Sequence, residues 1–398
     1  MFEYQKENLF FAQVTGQMEE MCEQELIALG ATNTRPVYRG IYFNAEKADL
    51  YKIIYTSRLI TRVLAPLTSF YAKDTDALRR TAFKFSWDDF LSLKDTFAIT
   101  ASVSNSKITH SKYAALCLKD SIADYFTAKK GKRPNVETKS PDVRFNLHID
   151  RDQAVVSLDV SGESLHKRGY RLLAGEAPMQ ETLAAAMVNL SYWNGDVPLG
   201  DFMCGSGTIL CEALMHYCKI PAQYLRTNFG FFNLPDFDKE LWKKVKEAAD
   251  KEIRPLPKGL IFGSDKSIRA IEVARENLDR LPHSGNIELF TRSFQEIENF
   301  ENGVIITNPP YGIRIGEKEE AQILFKEFGD FIKQKCNGTS AFIYSGDPGL
   351  RKHIGLKTSK RIPLVNGKLE GVLFQIDSFK GTHKEKMIEK YKGISEQT

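Results

Sequence analysis

The chain has 398 residues, and because single domains usually run to about 100–200 residues, two or three domains are expected. Its 42% hydrophobic and 27% charged residues are typical of a globular protein and exclude intrinsic disorder. The net charge of +4 hides two basic regions: residues 51–150 hold 17 Lys and Arg against 10 Asp and Glu, residues 351–398 hold 11 against 5, and the remainder hold 27 against 36. This distribution would favour binding of a polyanionic partner to the two basic regions. An equally good interpretation is that these lysines are ordinary solvated surface residues.

Membrane and metal partners are not expected. The first 30 residues lack a basic segment followed by an apolar core, and no stretch reaches the roughly 18 apolar residues of a membrane span, so a cytoplasmic protein is expected. The six cysteines include no C-x-x-C pair and are interpreted as reduced thiols. Cys211 and Cys218 share one face of a predicted helix, where buried small hydrophobes are favoured over metal ligands.

The first 160 residues have the mixed pattern of one or two small α+β units. Glycine at position 30 suits the left-handed cap of the first amphipathic helix. Two-residue alternation predicts strands, and longer amphipathic runs predict helices. The predicted strands cover residues 9–15, 37–43, 65–70, 96–102, 145–149 and 154–160, and the predicted helices cover 18–29, 47–54 and 111–127.

After Gly169 apolar strands alternate with helices, the pattern of an α/β fold with a doubly wound parallel sheet. An excursion over residues 219–258, with a helix at 239–252, is inserted between a helix and the next strand. Asn366-Gly367 between two apolar runs predicts an antiparallel hairpin that closes the sheet. The predicted strands here cover residues 198–203, 260–264, 287–291, 304–307, 340–344, 361–365 and 371–376, and the other helices cover 267–278 and 321–335.

Two of these strands end in residues suited to a nucleotide-type cofactor. Asp201 is followed by Cys204-Gly205-Ser206-Gly207, where glycines allow close backbone approach and the next helix offers free N–H groups. By itself a G-x-G loop is a weak signal. Asp265 ends the following strand and could accept two hydrogen bonds from a ribose diol, although an Asp before a helix is more often an N-cap.

The most specific motif is Asn308-Pro309-Pro310-Tyr311, directly after the apolar run at 304–307. Two prolines stiffen the backbone and remove two donors, which leaves carbonyl acceptors. An exocyclic amine such as guanine N2 could donate to the Asn308 side-chain oxygen and the Pro309 carbonyl, which would aim its lone pair at a methyl sulfonium, while Tyr311 stacks on the extruded base. The alternative is a rigid turn without a catalytic role.

In this order and spacing the three sites resemble class I amino-methyltransferases with their N-P-P-Y motif. Three segments, the glycine loop among them, resemble more closely bacterial THUMP-domain ribosomal RNA guanine-N2 methyltransferases of the RlmL-like type, without the second methyltransferase that is fused in many of them. These segments are residues 165–171, 177–185 and 204–208. Together with residues 119–122, 133–134 and 140–143, the resemblance covers nearly the whole chain.

This resemblance implies a domain plan and a cofactor, S-adenosylmethionine (SAM). The plan has a ferredoxin-like domain at 1–52, a THUMP RNA-binding domain at 53–161, a linker at 162–172, a Rossmann-like methyltransferase domain with a seven-stranded sheet at 173–385, and a tail at 386–398. Phe202 stands where a proline is frequent in this family. The implied cofactor residues are Gln180, Glu181, Thr182, Asp201, Cys204, Gly205, Ser206, Gly207, Asp265, Lys266, Ser293, Phe294 and Asn308, with Ser293-Phe294 in place of the family's frequent acidic contact to adenine.

A basic cluster before the last strands of the N-terminal half predicts contacts with RNA phosphates, which position a duplex but read little sequence. Its members are Lys129, Lys130, Lys132, Arg133, Lys139 and Arg144. The leading hypothesis is therefore methylation of guanosine N2 in large-subunit rRNA. A tRNA guanine-N2 methyltransferase, a DNA adenine-N6 methyltransferase and a catalytically silent RNA-binding or ribosome-assembly protein stay open as alternatives.

Overall fold

The computed structural model describes residues 1–172, 179–310, 317–367 and 369–378. The chain forms two compact units: residues 1–169 with 221–252, and residues 170–220 with 253–398. The helices are α1 (Glu3–Glu7), α2 (Glu19–Ala28), α3 (Lys47–Thr56), α4 (Thr75–Phe83), α5 (Ser111–Lys130), α6 (Glu181–Leu190), α7 (Thr208–Tyr217), α8 (Lys239–Lys251), α9 (Ile268–Leu278) and α10 (Glu317–Lys335).

The strands in the same part of the chain form two sheets, one in each unit. They are β1 (Leu9–Val14), β2 (Thr32–Val37), β3 (Gly40–Asn44), β4 (Ile60–Tyr71), β5 (Thr96–Ser104), β6 (Asn135–Val136), β7 (Val143–Asp150), β8 (Gln153–Asp159), β9 (Leu199–Asp201), β10 (Ile261–Asp265), β11 (Glu288–Thr291), β12 (Val304–Thr307), β13 (Ser340–Ser345), β14 (Lys360–Asn366) and β15 (Leu369–Asp377). None of the helices listed above combines the length and the apolarity that crossing a bilayer requires.

The first unit contains one continuous eight-stranded sheet in the order β2-β3-β1-β4-β8-β7-β5-β6. β4 joins its two halves because it pairs with β1 on one side and with β8 on the other. This strand has 12 residues, twice as many as the strand predicted over residues 65–70. The register with β8 shifts between Pro66 and Thr68, and such an irregularity lets a strand accommodate a proline that cannot donate.

The single strand predicted over residues 37–43 was wrong. The structure has a hairpin there, in which β2 ends at Val37 and β3 begins at Gly40. The connecting residues are Tyr38 and Arg39, and Arg39 has φ +57°. Neither residue is one of those that favour a tight turn, such as Asn or Gly. The sequence pattern therefore did not predict the turn between the two strands. Helix α4 also lacked a prediction, although Asp74 caps it by accepting from the Ala77 N–H at 2.7 Å.

The second unit confirms the predicted α/β fold: in the described residues its sheet has seven strands in the order β11-β10-β9-β12-β13-β15-β14. Strands β11, β10, β9, β12 and β13 are parallel, and β15 pairs antiparallel with both β13 and β14. The hairpin exists, but Asn366 still pairs with Leu369, so the turn begins one residue later than predicted. The Asn366 side-chain oxygen instead accepts from the backbone N–H of Gln180 at 3.0 Å.

Phe202, at the position where a proline is frequent in the family, packs in the core of the second unit. Its ring lies 5.0 Å from that of Phe300 and 5.8 Å from that of Phe331, between the sheet and α10. The side chain is buried in the core of the second unit. The aromatic residue therefore fills the core at the end of β9.

The excursion of residues 221–252 leaves the second unit and completes the first. Tyr51 and Tyr55, on one face of α3, lie 4.6 Å from the ring of Phe231 and 5.3 Å from that of Trp242, respectively. The Tyr55 hydroxyl donates to Asp250 at 2.7 Å. The aromatic rings, not the helix propensity of α8, thus hold the excursion in place, because α8 has no fully buried residue. The domain boundaries at 52 and 161 stay a prediction.

Replacing Phe231 by alanine should destabilise the first unit by about 3–5 kcal/mol, the cost of truncating a buried aromatic ring. Phe231 is 0% exposed and contacts Tyr51, Phe229 and Trp242. The free energy of unfolding in urea measures this loss. Tyr38→Ala is the control, since Tyr38 is 87% exposed and its truncation should change stability by less than about 0.5 kcal/mol. Equal effects of the two variants would contradict the packing role.

Candidate active site

Three neighbouring strands bring the predicted cofactor and catalytic residues to one edge of the second sheet. β9 lies between β10 and β12, and all three run parallel. Asp201 ends β9 opposite Gly263 of β10, Asp265 ends β10, and Asn308 directly follows β12. Because the chain order of the strands reverses between β9 and β12, this edge is the switch point at which open α/β sheets bind ligands.

The glycine-rich turn has a backbone that only glycine adopts without strain. Gly205 has φ +52° and Gly207 has φ +76°, both in the left-handed region. A Cβ atom on Gly207 would lie 3.0 Å from the Cβ of Ala274 in α9. The Gly207 N–H donates to the Cys204 carbonyl at 2.8 Å, and α7 begins at the next residue. The turn is therefore compact, with the start of a helix behind it. It fits the adenosyl cofactor that such turns accommodate.

Asp265 holds this turn from the neighbouring strand. Its Oδ2 accepts from the Gly205 N–H at 3.0 Å, and its Oδ1 accepts from the Ser267 N–H at 2.9 Å. The alternative interpretation of Asp265 as an N-cap is wrong, because Ser267 caps α9 by accepting from the Ala270 N–H at 3.3 Å. A carboxylate can accept about four hydrogen bonds, so two acceptor positions are left for a ribose diol.

Asp201 lies beneath the edge rather than on it. The side chain is 1% exposed, and its Oδ1 accepts from the Thr307 hydroxyl at 2.7 Å and from the Met203 N–H at 3.3 Å. Burial raises the pKa of Asp201 to about 7, the negative charge of Asp265 adds to that shift, and the two hydrogen bonds oppose it. Asp201 therefore ties the end of β9 to that of β12 and titrates near neutral pH.

The N-P-P segment presents a buried acceptor with no donor. The Oδ1 atom of Asn308 is inaccessible to solvent and has no hydrogen-bond partner among the described residues. Pro309 is buried and Pro310 is exposed, while Tyr311 lies outside the described residues. A buried oxygen without a donor costs about 1–3 kcal/mol, so the orphaned atom points to a ligand that supplies the donor.

The start of α6 contributes buried polar groups to the same unit. Gln180 is the N-cap residue, and Glu181 and Thr182 open the helix at 4% and 0% exposure. Glu181 forms an ion pair with Arg171 at 3.5 Å. The Thr182 hydroxyl has no hydrogen-bond partner among the described residues. Pro178, which belongs to the segment 177–185 that carries the resemblance, lies outside the described residues.

The residues predicted near adenine differ in their surroundings. Lys266 is exposed beside Asp265. The Ser293 N–H donates to the carboxylate of Glu296 at 2.7 Å, and hydrogen bonds from Ser293 lower the pKa of Glu296. The Phe294 ring is buried 5.1 Å from that of Phe328. Phe294 is therefore a core residue of the second unit, and its role in holding adenine stays a prediction.

Two members of the basic cluster are already occupied by local contacts. Lys129 lies 2.8 Å from the Asp88 carboxylate and above the ring of Tyr125. Hydrogen bonds from Lys129 and Tyr125 lower the pKa of Asp88 to about 2. The Lys130 ammonium group lies 5.2 Å from the ring centre of Phe126. Both lysines are in the last turn of α5, where cations interact favourably with the helix dipole.

The other members divide into exposed and buried groups. Lys132, Arg133 and Lys139 are exposed in the connections around β6. Arg144 instead lies in β7 and is partly buried, and burial together with the positive charge of Arg62 lowers its pKa. The structure thus separates Arg144 from the exposed cations with which its position in the sequence grouped it.

The first unit also has a pocket of about 470 Å³ that the sequence patterns did not indicate. Its lining includes the exposed residues Lys73, Lys107, His110 and Tyr113. Lys73 is separated from the other three by more than 30 positions, and Tyr113 lies in the first turn of α5, so no local pattern joins these residues. Cations beside an exposed aromatic ring are the side chains that bind phosphates and stack on bases.

Asn277 is a second group missed by the sequence patterns. It is 1% exposed on α9, and its Nδ2 donates to the Ser206 carbonyl at 2.9 Å while its Oδ1 accepts from the Leu172 N–H at 3.0 Å. A polar residue on the face of α9 that also buries Ile271 and Leu278 was the available signal.

Replacing Asp201 by asparagine should remove a pH dependence of stability. The pKa of about 7 in the folded state exceeds the ordinary value of 3.8, so the folded protein binds more protons than the unfolded chain. The stability due to Asp201 is complete below pH 4 and falls by up to about 1.4 kcal/mol per pH unit as pH rises towards 7. Asparagine keeps an acceptor for Thr307 but does not ionise. Between pH 4 and 8, the free energy of unfolding of the wild type, measured by calorimetry, should therefore fall relative to that of Asp201→Asn. A constant difference would contradict the raised pKa.

Comparison with known families covers most of the chain. The RMKL-like methyltransferase domain matches residues 168–375, the THUMP domain matches 72–159, and the RlmL ferredoxin-like domain matches 9–64. A Synechocystis sp. protein named "Putative RNA methyltransferase" is 37% identical over 93% of this chain and 97% of its own length. "Ribosomal RNA large subunit methyltransferase K/L" of Syntrophotalea carbinolica is 35% identical over 92% of this chain, which spans about half (53%) of that relative.

The fold comparison agrees with these matches. The crystal structure named "SMU.472, a putative methyltransferase complexed with SAH" superposes with a TM-score of 0.82 and 28% identity over 94% of this chain and 99% of that one. The expected cofactor class, the fold class and the two N-terminal domain types are thereby confirmed. The chain belongs to the RMKL-like family of SAM-dependent methyltransferases, and in this chain the methyltransferase domain follows an RlmL ferredoxin-like domain and a THUMP domain.

Proposed function

We propose that this protein transfers a methyl group from SAM to N2 of a guanosine in large-subunit ribosomal RNA, in the cytoplasm. The observation that carries the proposal is the buried Asn308 Oδ1, an acceptor without a donor at the carboxyl end of β12. The RNA substrate is supported by the THUMP domain and by the RNA methyltransferase names of the relatives.

The cofactor is proposed to bind along the glycine turn and Asp265. Gly205 and Gly207 allow the backbone to approach it, and the free lone pairs of the Asp265 carboxylate suit the ribose hydroxyls. When bound, SAM would supply an electrophilic methyl group for the base nitrogen; the electron pair of the broken carbon–sulfur bond would stay on the sulfur of S-adenosylhomocysteine, and the nitrogen would release one proton to water. The role of Asp201 in this binding is to hold the ends of β9 and β12 together through Thr307.

The catalytic work of the chain is proposed to be positioning and electrostatics. An exocyclic amine is a poor nucleophile because its lone pair is delocalised into the ring. Two acceptors, the Asn308 oxygen and the Pro309 carbonyl, would bind its two N–H groups, turn the lone pair out of conjugation and stabilise the positive charge that develops on nitrogen. Tyr311 is proposed to stack on the extruded base. The prolines keep this acceptor pair rigid, so little reorganisation is required.

The exposed cations of the first unit are proposed to bind RNA phosphates. Lys132, Arg133 and Lys139 are exposed around β6, and Lys73 and Lys107 line the pocket beside Tyr113. In this proposal Lys129 and Lys130 contribute less, because each already has a local partner. Phosphate contacts of this kind orient the substrate, whereas the base is recognised in the second unit.

Asn308→Ala should lower the rate of methyl transfer by about 100-fold or more, the usual cost of removing one preorganised group that stabilises the transition state. Binding of SAM and of RNA should stay within twofold. The assay uses labelled SAM with undermodified large-subunit rRNA, tRNA and duplex DNA, and mass spectrometry of the nucleosides identifies the product. Asn337→Ala is the matched control. Asn337 lies between α10 and β13, just before the amino end of β13, whereas the proposed site lies at the carboxyl ends of the strands.

N2-methylguanosine in rRNA is the expected product. The same product in tRNA alone, or N6-methyladenine in DNA, would replace the proposed substrate with one of its rivals. Full activity of Asn308→Ala would refute the acceptor mechanism, and absence of any methyl transfer while SAM and RNA bind would favour a silent RNA-binding protein.

Reversing two charges in the variant Lys132→Glu/Arg133→Glu should weaken RNA binding, and the slope of log affinity against log salt should fall by about 2, one unit for each lost phosphate contact. Lys73→Glu/Lys107→Glu should act in the same direction. Affinity for SAM, which the second unit binds, should not change. The control is Lys243→Glu/Lys244→Glu on the exposed face of α8, and a loss of affinity as large as that of the test pairs would show a nonspecific charge effect.

A further inference from the structure

We propose that Arg171 and Asn277 are positioning residues for the cofactor, which hold the glycine turn and the start of α7 in the shape that binds SAM. Neither residue is among the cofactor contacts that the sequence indicates. The inference rests on the proposed binding of SAM along the Cys204–Gly207 turn. It concerns only residues of the second unit.

Three consecutive residues, Tyr170 to Leu172, are bound to three helices, α6, α7 and α9. The Tyr170 ring is 0% exposed, and its hydroxyl donates to the Glu212 carboxylate of α7 at 3.1 Å. Arg171 contacts the starts of both α6 and α7, and the Leu172 N–H donates to Asn277 of α9. We call this segment the strap. Its attachments converge on the helices that flank the glycine turn.

Arg171 binds three acceptors with one planar group. Its Nη2 donates to the Met179 carbonyl at 2.7 Å and to the Thr208 hydroxyl at 2.9 Å, and its Nη1 lies 3.5 Å from Glu181 Oε1. The Arg171 and Glu181 side chains are only 15% and 5% exposed. Burying this charge is costly, and a guanidinium offset by several acceptors fixes their relative positions as a flexible ammonium does not. Arg171 therefore holds the first residue of α7 against the segment that opens α6.

Asn277 fixes the peptide in the middle of the glycine turn. Ser206 stands between two glycines with positive φ, so its neighbours allow the backbone many conformations. The Asn277 Nδ2 holds the Ser206 carbonyl at 2.9 Å. Because the peptide unit is planar, the direction of this carbonyl also sets the direction of the Gly207 N–H. With Asn277 in place the turn has one conformation before the cofactor arrives, and a preorganised site spends less binding free energy on ordering.

The contribution of Arg171 and Asn277 should appear in the affinity for SAM rather than in the chemical step. Asp265 also holds the turn, at the Gly205 N–H, but it belongs to the proposed ribose contact itself. Arg171 and Asn277 act behind the turn, through Thr208 and Ser206 respectively. Their loss should therefore raise the Kd and the KM for SAM together and leave kcat at saturating SAM nearly unchanged.

Asn277→Asp tests this separation with an isosteric change. The variant keeps an acceptor for the Leu172 N–H and replaces the donor to the Ser206 carbonyl with an oxygen. We expect the Kd for SAM by calorimetry and the KM for SAM to rise about tenfold or more, while kcat stays within twofold. Asn146→Asp is the matched control: Asn146 is 8% exposed in the first unit, where its Nδ2 donates to the Thr100 hydroxyl at 3.0 Å. It should leave SAM binding unchanged.

Thr208 supplies a second, gentler pair of variants in case Asn277→Asp does not fold. Thr208→Val removes the acceptor for Arg171 at nearly constant volume and should raise the Kd for SAM. Thr208→Ser keeps the hydroxyl, so its Kd for SAM should stay close to that of the wild type. The inference is overturned if folded Asn277→Asp and Thr208→Val both bind SAM within twofold of the wild type. It is also overturned if kcat falls while KM is unchanged.

Asp265→Ala separates failure of this inference from failure of the proposed site. If Asp265→Ala weakens SAM binding and neither Asn277→Asp nor Thr208→Val does, only the positioning role is wrong. If Asp265→Ala also binds SAM like the wild type, the cofactor does not use this edge of the sheet and the proposed function loses its site.

Discussion

The parallel pairing of β10, β9 and β12 is the constraint on which the candidate site depends. It places three strand ends side by side. The hydrogen bond from Thr307 to the buried Asp201 joins the ends of β12 and β9, which are 106 positions apart in the sequence. Each strand end then contributes one kind of group: a glycine turn, a carboxylate and a proline-stiffened acceptor. A slip of one residue in this register would turn every side chain of the shifted strand to the other face.

A second layer of contacts keeps the glycine turn in one conformation. Asp265 accepts from the Gly205 N–H, Asn277 donates to the Ser206 carbonyl, and Arg171 donates to Thr208, the first residue of the helix that follows. The glycines make the tight backbone accessible, but they also make it flexible. The surrounding polar groups remove that flexibility, which is the requirement for a site that binds its ligand without reorganising.

The first unit follows a different principle, in which distant segments are joined by apolar burial. Residues 221–252 lie between two elements of the methyltransferase domain in sequence and belong to the N-terminal unit in space. Stacked and edge-on rings around Tyr51, Phe231 and Trp242 account for this placement. Aromatic side chains bury large areas, so a few of them can recruit a helix such as α8 that has little apolar surface of its own.

Local patterns in the sequence determined the strand and helix order of the second unit, the glycine turn and the N-P-P-Y motif, because periodicity and special backbone residues act over a few positions. The same patterns missed the Tyr38–Arg39 turn, the destination of the 221–252 excursion and the burial of Arg144. Only the tertiary structure decided that Asp265 accepts from the Gly205 N–H, that Asp201 is buried and that Asn277 holds the turn. The reason is physical: burial, pKa and hydrogen-bond partners depend on which distant segments pack together, and no local pattern encodes that.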